Sequence, residues 1–339
     1  MMSLPALQRY HSSSGADIFR IPVEAFPGFI AYCYLILDLD VPTLIDTGSG
    51  IGSSNEHLLA GLTAVPEQFG VSFSLSDLKR IIITHGHIDH FGGLSFIHQQ
   101  TGAEVGVHAL DRRVLTNYEE RVVVATKDLL VYLERAGVSP NRRRELMEMY
   151  GFAKKFPSSV PVAFMLEDGG ELAGMRFIHT PGHCPGQVCI QIGDILLSAD
   201  HILSRTSPHQ APESITHYTG LGHYLEALDK VDQLDDVRLT IGGHEDEIVD
   251  LHQRVTEIHA SHERKLERVR DAIRSAEKPL TISEISKIMY PERHGYDVLL
   301  ALEEVGAHVE YLYERGQLAV SNLDQVEKED NPALCYTLA

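Results

Sequence analysis

The densest group of side chains with metal-binding chemistry in this 339-residue chain is His85-Gly86-His87-Ile88-Asp89-His90. The group follows the apolar run Ile81-Ile82-Ile83, so it stands where a buried strand gives way to a loop. Neutral imidazole and carboxylate are ligands that Zn²⁺, Fe²⁺ and similar ions accept, and a strand end holds them in fixed directions. A run of surface histidines would explain an isolated pair, but four ligand-type side chains this close together favour a metal site.

Single ligand-type residues follow three further apolar runs. They are His183, in the turn Thr180-Pro181-Gly182-His183, Asp200, after the run 195–199, and His244, after the run 239–241. A metal site assembled from several strand ends should have this pattern, with one dense motif and scattered single ligands.

These residues resemble the pattern of the metallo-β-lactamase-fold hydrolases. That superfamily combines a His-x-His-x-Asp-His motif with a His in a Thr-Pro-Gly-His turn, a bridging Asp and a last His. The matching positions here are His85, His87, Asp89, His90, His183, Asp200 and His244. Asp46-Thr47-Gly48 matches the early Asp-x-Gly element, and the resemblance covers about residues 15–250.

The resemblance implies both a fold and a ligand set. The fold is α/β, a four-layer αβ/βα sandwich with two divalent metal ions in a cleft at one edge of its sheets. The family's ligand positions imply that His85, His87 and His183 hold one ion, that Asp89, His90 and His244 hold the other, and that Asp200 bridges both. Zn²⁺ is the expected ion, and Fe²⁺ or Mn²⁺ also accept this mixture of ligands.

Such a site would generate a nucleophile for hydrolysis. Two cations lower the pKa of a water that they share, and the resulting hydroxide can attack an electrophilic carbonyl or phosphorus. Asp89 is expected to orient that water. The proton donor for a poor leaving group stays open. Tyr218 and His217 lie in the loop that leaves Asp200, but ordinary loop packing explains either one as well.

Charge and one motif position argue against other branches of the superfamily. Histidine rather than glutamate at position 87 argues against the flavodiiron redox branch. The net charge of −19 would repel a phosphate backbone, so we do not expect nucleic acid as a partner. Arg142-Arg143-Arg144 is the only compact basic group, and a solvated helix face explains it better.

The composition predicts an ordinary soluble globular protein, with 43% hydrophobic and 23% charged residues. The sequence contains no signal-peptide pattern and no apolar run as long as a membrane span, so we expect a cytoplasmic protein that does not contact the membrane. The four cysteines have no disulfide or metal-ligand spacing, and Cys184 is expected to be a small buried filler.

Two segments depart from the alternation of strands and helices. Residues 111–160 predict a helical insertion, interrupted at Gly137 and resumed by Ser139-Pro140, a pair typical of an N-cap and the first helical residue. We expect the insertion to form a lid or pocket wall for substrate, and a peripheral decoration or a dimer contact is the alternative. Residues 1–14 are polar and are expected to be loosely ordered.

Residues 251–339 are predicted to form a separate domain after a hydrolase domain at 1–250. Three helical patterns followed by the strand-like Gln317-Leu318-Ala319-Val320 have the order of a winged helix. This combination resembles the branch of the superfamily with a C-terminal winged-helix-like domain. The third helix carries acidic residues, so packing against the hydrolase domain or homodimerisation explains this domain better than DNA binding does.

We therefore expect a dinuclear metal-dependent hydrolase acting on a small acyl thioester, similar to the hydroxyacylglutathione hydrolases (glyoxalase II) and related thioesterases. A thiolate leaves without much help, which suits a site with no obvious general acid. A lactone or ester hydrolase that uses Tyr218 is the first alternative, and an RNA phosphodiesterase is a weaker one. The full ligand set argues against a non-catalytic binding module. The acyl group and its carrier stay open, because we find no equivalents of the basic residues that grip glutathione.

Overall fold

The computed structural model describes residues 4–153 and 157–339, except for the side chains of residues 152 and 153, and two large sheets dominate it. The first sheet has seven strands in sequence order: β1 (Gln8–His11), β2 (Asp17–Phe26), β3 (Phe29–Leu37), β4 (Thr43–Ile45), β5 (Arg80–Ile82), β6 (Glu104–His108) and β7 (Phe164–Leu166). Neighbours from β1 to β4 are antiparallel, and neighbours from β4 to β7 are parallel.

The second sheet has five strands: β8 (Glu171–Leu172), β9 (Met175–His179), β10 (Val188–Ile192), β11 (Ile195–Ala199) and β12 (Leu239–Gly242). Their spatial order is β12-β11-β10-β9-β8. Both β9 and β11 are antiparallel to β10, and β12 is parallel to β11. The carboxyl ends of β9, β11 and β12 therefore lie at the same edge of this sheet.

Apolar side chains from both sheets meet in one core. Ile18 and Ile45 come from the first sheet, and Phe177 and Ile190 from the second, and all four are buried in the same cluster. Because every strand alternates its faces, the other face of each sheet is left for helices. The two sheets are thus the inner layers of the predicted sandwich.

Eleven α-helices lie in the described residues, and seven of them precede the C-terminal segment. These seven are α1 (Ser54–Phe69), α2 (Ile88–Phe91), α3 (Leu94–Thr101), α4 (Arg112–Thr116), α5 (Tyr118–Arg135), α6 (Pro140–Ala153) and α7 (Leu221–Asp232). Helix α1 packs directly on β2, where a Cβ added at Gly61 would lie 2.3 Å from Cγ2 of Ile21. None of the helices in the described part of the chain is long and apolar enough to cross a membrane.

The insertion is helical, as predicted. Helix α5 ends before Gly137, whose φ of +77° is a left-handed conformation that glycine adopts readily, and α6 begins at Pro140 as the Ser139-Pro140 pair predicted. Residues 154–156 of the predicted insertion lie outside the described residues. The proposed role of the insertion as a lid or pocket wall stays a prediction.

The expectation of a loosely ordered N-terminal segment is wrong for residues 8–11. These residues form β1, which pairs with β2 from Gln8 opposite Arg20 to His11 opposite Asp17. The hydroxyl of Tyr10 also donates a hydrogen bond to Oε1 of Glu247 (2.6 Å). The strand is polar because it lies at the edge of the sheet, where the backbone ladder rather than apolar burial holds it.

The C-terminal segment contains the remaining helices and a small sheet. The elements are α8 (Leu251–Arg274), α9 (Ile282–Met289), α10 (Asp297–Glu314), β13 (Leu318–Val320), α11 (Leu323–Lys328) and β14 (Tyr336–Leu338). Strands β13 and β14 are antiparallel, and an isolated bridge joins Leu280 to Tyr336. The element order agrees with the predicted one as far as β13, but α11, which was not predicted, lies between β13 and β14. The assignment as a winged helix stays a prediction.

The chain divides into two compact units. The first comprises Met1–Arg121, Phe156–Pro208 and Ala227–Val255, and the second comprises Val122–Lys155, His209–Glu226 and Thr256–Ala339. Most of the helical insertion thus falls in one unit with the C-terminal segment, whereas the sequence pattern placed it in the hydrolase domain. The predicted domain boundary at residue 250 stays a prediction.

Candidate metal centre

The predicted metal ligands follow the carboxyl ends of strands. His85 follows β5, and Asp46 follows the neighbouring parallel strand β4. His183, Asp200 and His244 follow β9, β11 and β12, which end at one edge of the second sheet. Loops at the carboxyl ends of strands can carry functional side chains while the sheet supplies the stiffness.

Two backbone hydrogen bonds join the sheets at this edge. The N–H of Val188 donates to the carbonyl oxygen of Thr84 (3.0 Å), and the N–H of Tyr32 donates to that of Gly243 (2.8 Å). Thr84 directly precedes the dense histidine motif, and Gly243 directly precedes His244. The ligand loops of the two sheets are therefore held beside each other.

The first cluster consists of His85, His87 and His183. Nε2 of His85 lies 3.1 Å from Nδ1 of His87, which in turn lies 2.9 Å from Nε2 of His183. His85 and His183 are buried and His87 is half-buried. Three ring nitrogens thus converge on one point.

The second cluster consists of Asp89, His90, Asp200 and His244. Nε2 of His90 lies 3.3 Å from Oδ1 of Asp200, and Nε2 of His244 lies 3.3 Å from Oδ2 of Asp200 and 3.3 Å from Oδ2 of Asp89. Oδ2 of Asp200 also lies 3.6 Å from Nε2 of His183, in the first cluster. Asp200 is therefore placed between the two clusters, where a bridging ligand would have to be.

The donor atoms of the second cluster fit a divalent cation. Nε2 of His90, Nε2 of His244 and Oδ1 of Asp200 are buried and have no hydrogen-bond partner. Leaving a buried polar atom unsatisfied costs about 1–3 kcal/mol. Ligand atoms about 2.1 Å from a tetrahedral ion lie about 3.4 Å from one another, close to the 3.3 Å separations observed here. A cation among these atoms would give each of them its missing partner.

Hydrogen bonds on the far side of two imidazoles direct a lone pair toward the clusters. Oδ2 of Asp46 lies 2.7 Å from Nδ1 of His90, and because a carboxylate only accepts, the proton is on Nδ1. The Thr84 hydroxyl donates to the same Asp46 oxygen (2.7 Å), so it accepts from Nδ1 of His85 (3.1 Å). Partners of this kind orient metal-binding histidines and strengthen their binding.

His244 is oriented in the same way. Its Nδ1 donates to the carbonyl oxygen of Ile30 (2.7 Å), which leaves the lone pair on Nε2. The preceding Gly243 packs so closely that a Cβ there would lie 2.4 Å from Oδ1 of Asp200 and 2.6 Å from Cε1 of His90. Any larger residue at position 243 would push these ligands apart.

Three residues beside the ligands have a left-handed backbone, and one of them is Glu245, which follows His244 and has a φ of +64°. Asp46, which orients His90, has a φ of +60°, and Ala199, which precedes Asp200, has a φ of +46°. Left-handed conformations at residues other than glycine cost about 1–3 kcal/mol and cluster at functional sites.

The second cluster carries the negative charge that a divalent cation needs. Burial alone would raise the pKa of Asp200, but His244 and His90 hold that pKa well below its usual value. Burial alone would lower the pKa of His244, but Asp200 and Asp89 raise it to about 10, so without a cation the ring carries a proton on Nε2 that a bound cation would displace. In the first cluster, burial and the neighbouring imidazoles lower the pKa of His85 well below its usual value, which keeps that ring neutral.

The predicted proton donors lie in the second compact unit. Tyr218 is 48% exposed, has a φ of +67°, and its ring centroid lies 5.7 Å from that of His223. The side chain of His217 is 93% exposed. The catalytic role suggested for either residue stays a prediction.

One buried carboxylate beside the first cluster was not predicted from the sequence. Asp111 lies three residues after β6 and accepts hydrogen bonds from the loops that carry His87 and His183. Cys184 is buried, as expected of a filler, but its thiol also contacts Asp111. A lone aspartate in a polar segment forms no motif. Only a search of the loop after every parallel strand, including β6, would have found it.

A third group of metal-type side chains, in the second unit, is held mainly by its own hydrogen bonds, although Nε2 of His262 is buried without a hydrogen-bond partner. Nδ1 of His308 lies 2.6 Å from the carbonyl oxygen of Glu304 and donates to it, so its Nε2 accepts from Nδ1 of His262 (3.1 Å). The Glu304 carboxylate pairs with Nζ of Lys265 (2.7 Å) and accepts from the N–H of Gln210 (2.8 Å). Because a side-chain cation already neutralises Glu304, we assign no metal to this group.

Comparisons with known proteins identify the family of this chain. The family model for the metallo-beta-lactamase superfamily matches residues 26–271. The chain is 22% identical over 302 residues to the probable metallo-hydrolase YqjP of Bacillus subtilis (strain 168), an alignment that covers 86% of this chain and 90% of that protein.

Two solved structures share the fold over nearly the whole chain. The metallo-beta-lactamase family protein TTHA1429 from Thermus thermophilus is 25% identical with a TM-score of 0.74, covering 95% of this chain and 98% of that one. A beta-lactamase domain protein from Burkholderia ambifaria is 21% identical with a TM-score of 0.73, covering 99% of this chain and 95% of that one.

The chain therefore belongs to the metallo-beta-lactamase superfamily, and the predicted α/β metallo-β-lactamase fold is confirmed. Its His and Asp clusters, on this fold, imply divalent metal ions. Membership of the hydroxyacylglutathione hydrolase-like branch stays a prediction.

Proposed function

We propose that this chain is a metal-dependent hydrolase that holds two divalent cations and cleaves a small acyl thioester. The observation that carries the proposal is the position of Asp200, whose carboxylate lies beside histidines of both clusters. When bound, divalent cations lower the pKa of coordinated water and polarise a carbonyl group, so that hydrolysis proceeds near neutral pH.

Seven side chains hold the two cations in this proposal. His85, His87 and His183 hold the first, Asp89, His90 and His244 hold the second, and Asp200 binds both. Zn²⁺ is the ion we propose first, and Fe²⁺ and Mn²⁺ also suit this donor set.

Asp89 has a second role, which is to orient the attacking water. Its side chain is 14% exposed, compared with 9% for Asp200 and 0% for His90, so it is the most accessible of the three to water. A carboxylate there accepts a hydrogen bond from the water and fixes its direction of attack.

The choice of a thioester follows from the groups that surround the reaction centre. Outside the two clusters, the hydrogen-bond partners described for His85, His90 and His244 are Thr84, Asp46 and the carbonyl oxygen of Ile30, and none of them is a tyrosine or lysine that could protonate a leaving group. A thiolate needs such a donor less than an alkoxide does, because the pKa of a thiol is only about 8.5. The two clusters therefore suit a thioester better than an ester or lactone.

We also propose a small-molecule substrate rather than nucleic acid, because the chain carries a net charge of −19 and phosphate contacts require a basic surface. A cytoplasmic location and a homodimer complete the proposal, and neither is needed for the chemistry.

Elemental analysis of the purified protein, coupled to hydrolysis assays with acyl thioesters, lactones and a short RNA, tests the proposal. We expect about two ions per chain and thioester turnover that is lost on chelation and restored by Zn²⁺. Two ions with turnover of lactone or RNA alone would keep the metal centre and replace the substrate. Failure to bind metal on reconstitution, or turnover that survives chelation, would contradict the proposal.

A further inference from the structure

Outside the seven ligand-type residues, one carboxylate contacts both loops of the first cluster. Oδ2 of Asp111 accepts from the N–H of Gly86 (2.8 Å), and Oδ1 accepts from the N–H of Gly186 (3.0 Å). The thiol of Cys184 donates to Oδ2 (3.3 Å). Gly86 lies between His85 and His87 in the sequence, and Cys184 directly follows His183. Asp111 is itself only 1% exposed.

Both loops pack tightly against this carboxylate. A Cβ at Gly186 would lie 2.6 Å from Cγ of Asp111, and one at Gly86 would lie 3.3 Å from the same atom. The backbone at Gly186 can therefore reach the carboxylate only because this residue is glycine, and a side chain at position 86 would fit tightly. This close packing on both sides of the carboxylate indicates a specific contact between the two loops.

The carboxylate is held by an element separate from both loops. Asp111 ends the short 3₁₀ turn Ala109–Asp111, which follows β6, and α4 begins at the next residue. Strand β6 pairs with β5, which carries the His85 loop, so the sheet fixes the position of Asp111 relative to that loop. The loop that carries His183 comes from the second sheet, and Asp111 is a side-chain link between it and the His85 loop of the first.

We propose that Asp111 is a positioning residue that fixes His85, His87 and His183 at the separation needed to hold one cation. The proposal rests on the proposed function only in that these three histidines bind an ion. Asp111 is not expected to touch the ion or the substrate, because its oxygens are occupied by donors of the two loops.

The isosteric variant Asp111→Asn tests the proposal. An amide offers one acceptor oxygen where two are used, so the two loops can no longer both be held. We expect the affinity for one of the two ions to fall about 10–100-fold, as is typical when a supporting partner of a metal ligand is lost. The affinity for the other ion should stay within about two-fold of wild type.

Loading the protein with Co²⁺ shows which of the two ions is bound more weakly. The Co²⁺ absorption spectrum of Asp111→Asn should match that of His183→Ala, which lacks a ligand of the first cluster, and differ from that of His244→Ala. Asp194→Asn is the matched control, since Asp194 also accepts a backbone N–H, from Ser13 (2.8 Å), but in the turn before β11. It should bind two ions like the wild type.

Gly186→Ala provides an independent test if Asp111→Asn fails to fold, because the added methyl group pushes Asp111 aside without removing its charge. Like Asp111→Asn, this variant should have a lower affinity for one ion, that of the first cluster, and not for the other. Two ions bound at wild-type affinity in the variants would overturn the positioning role, and so would an equal loss of affinity for both ions. Two bound ions in the wild type without hydrolysis would overturn the proposed function alone.

Discussion

Nδ1 of His90 lies 2.7 Å from Oδ2 of Asp46, and both side chains are buried. The contact fixes the tautomer of His90, so that Nε2, which lies 3.3 Å from Oδ1 of Asp200, is the ring nitrogen left to bind a cation. Through the Thr84 hydroxyl, the same carboxylate also supports His85. Asp46 therefore supports ligands of both clusters, His90 directly and His85 through Thr84, whereas Asp111 contacts the loops of one cluster.

Replacing Asp46 with asparagine should weaken the binding of both ions. We expect a loss of about 10–100-fold for the ion held by His90 and a smaller loss for the ion held by His85, because that contact passes through Thr84. Competition titrations against a Zn²⁺ chelator measure both affinities. Thr84→Ser, which keeps the hydroxyl, is the control and should bind both ions normally. Unchanged affinities in Asp46→Asn would contradict this account of the histidine tautomers.

Asp200→Asn should abolish most of the hydrolysis. Asp200 is placed between the two clusters, so loss of its charge weakens the binding of both ions. A contribution of several kcal/mol by the metal ions to catalysis corresponds to a loss in kcat of about 100-fold or more. The neighbouring His201→Ala should reduce kcat far less, although its fully buried ring leaves a cavity that lowers the melting temperature. Comparable losses of kcat in the two variants, with metal content intact in both, would refute the bridging role.

Phe29 is expected to contact the apolar part of the substrate. Its ring centroid lies 4.5 Å from that of His244, and 44% of the side chain is exposed. Phe29→Ala should raise KM for apolar acyl substrates about five-fold, which corresponds to about 1 kcal/mol of lost apolar contact. Val249→Ala, at a side chain that is 79% exposed, should leave KM unchanged. A normal KM in the Phe29 variant would place the acyl group elsewhere.

The third group of histidines should not bind metal. His308→Gln breaks the hydrogen bonds to Glu304 and His262, so the free energy of unfolding should fall by about 1–3 kcal/mol. The metal content should stay at two ions per chain, whereas His183→Ala should lose one. Chemical denaturation and elemental analysis of both variants check this. A lost ion in His308→Gln would show that a metal site had been overlooked.

Stability should depend on His209 in alkaline solution. Burial alone would lower the pKa of His209, but Glu303 and Glu304 raise it to about 9. In the unfolded chain that pKa is about 6.5, so the stabilisation by protonated His209 is complete below about pH 6.5 and is lost as the pH rises through about 9.

Melting temperatures of wild type and His209→Gln between pH 6 and pH 10 measure this effect. The wild type should melt a few degrees higher at pH 6, and the difference should vanish near pH 10. His217→Gln, at a side chain that is 93% exposed, is the control and should melt like the wild type throughout. A difference that is independent of pH would rule out the ion pairs with Glu303 and Glu304 as its cause.

The ligand-type residues could be found in the sequence because their signals are local. His85 to His90 are six consecutive residues that span a loop and the start of α2, and His183, Asp200 and His244 each follow an apolar run that forms a buried strand. Helix α6 begins at Pro140 for the same reason, since capping depends on adjacent residues. Strand β1 was missed because a polar edge strand is recognised by its pairing partner and not by its own composition.

Tertiary packing alone decided the rest. Asp111 meets Gly86 and Gly186 across 25 and 75 positions of the chain, and Asp46 meets His90 across 44. The same holds for the second compact unit, which contains most of the helical insertion together with most of the C-terminal segment. Residue type and spacing specify which groups can bind a metal, because that chemistry resides in single side chains and their neighbours. Which groups support them depends on long-range contacts, because those form only when separate strands are brought to the same edge.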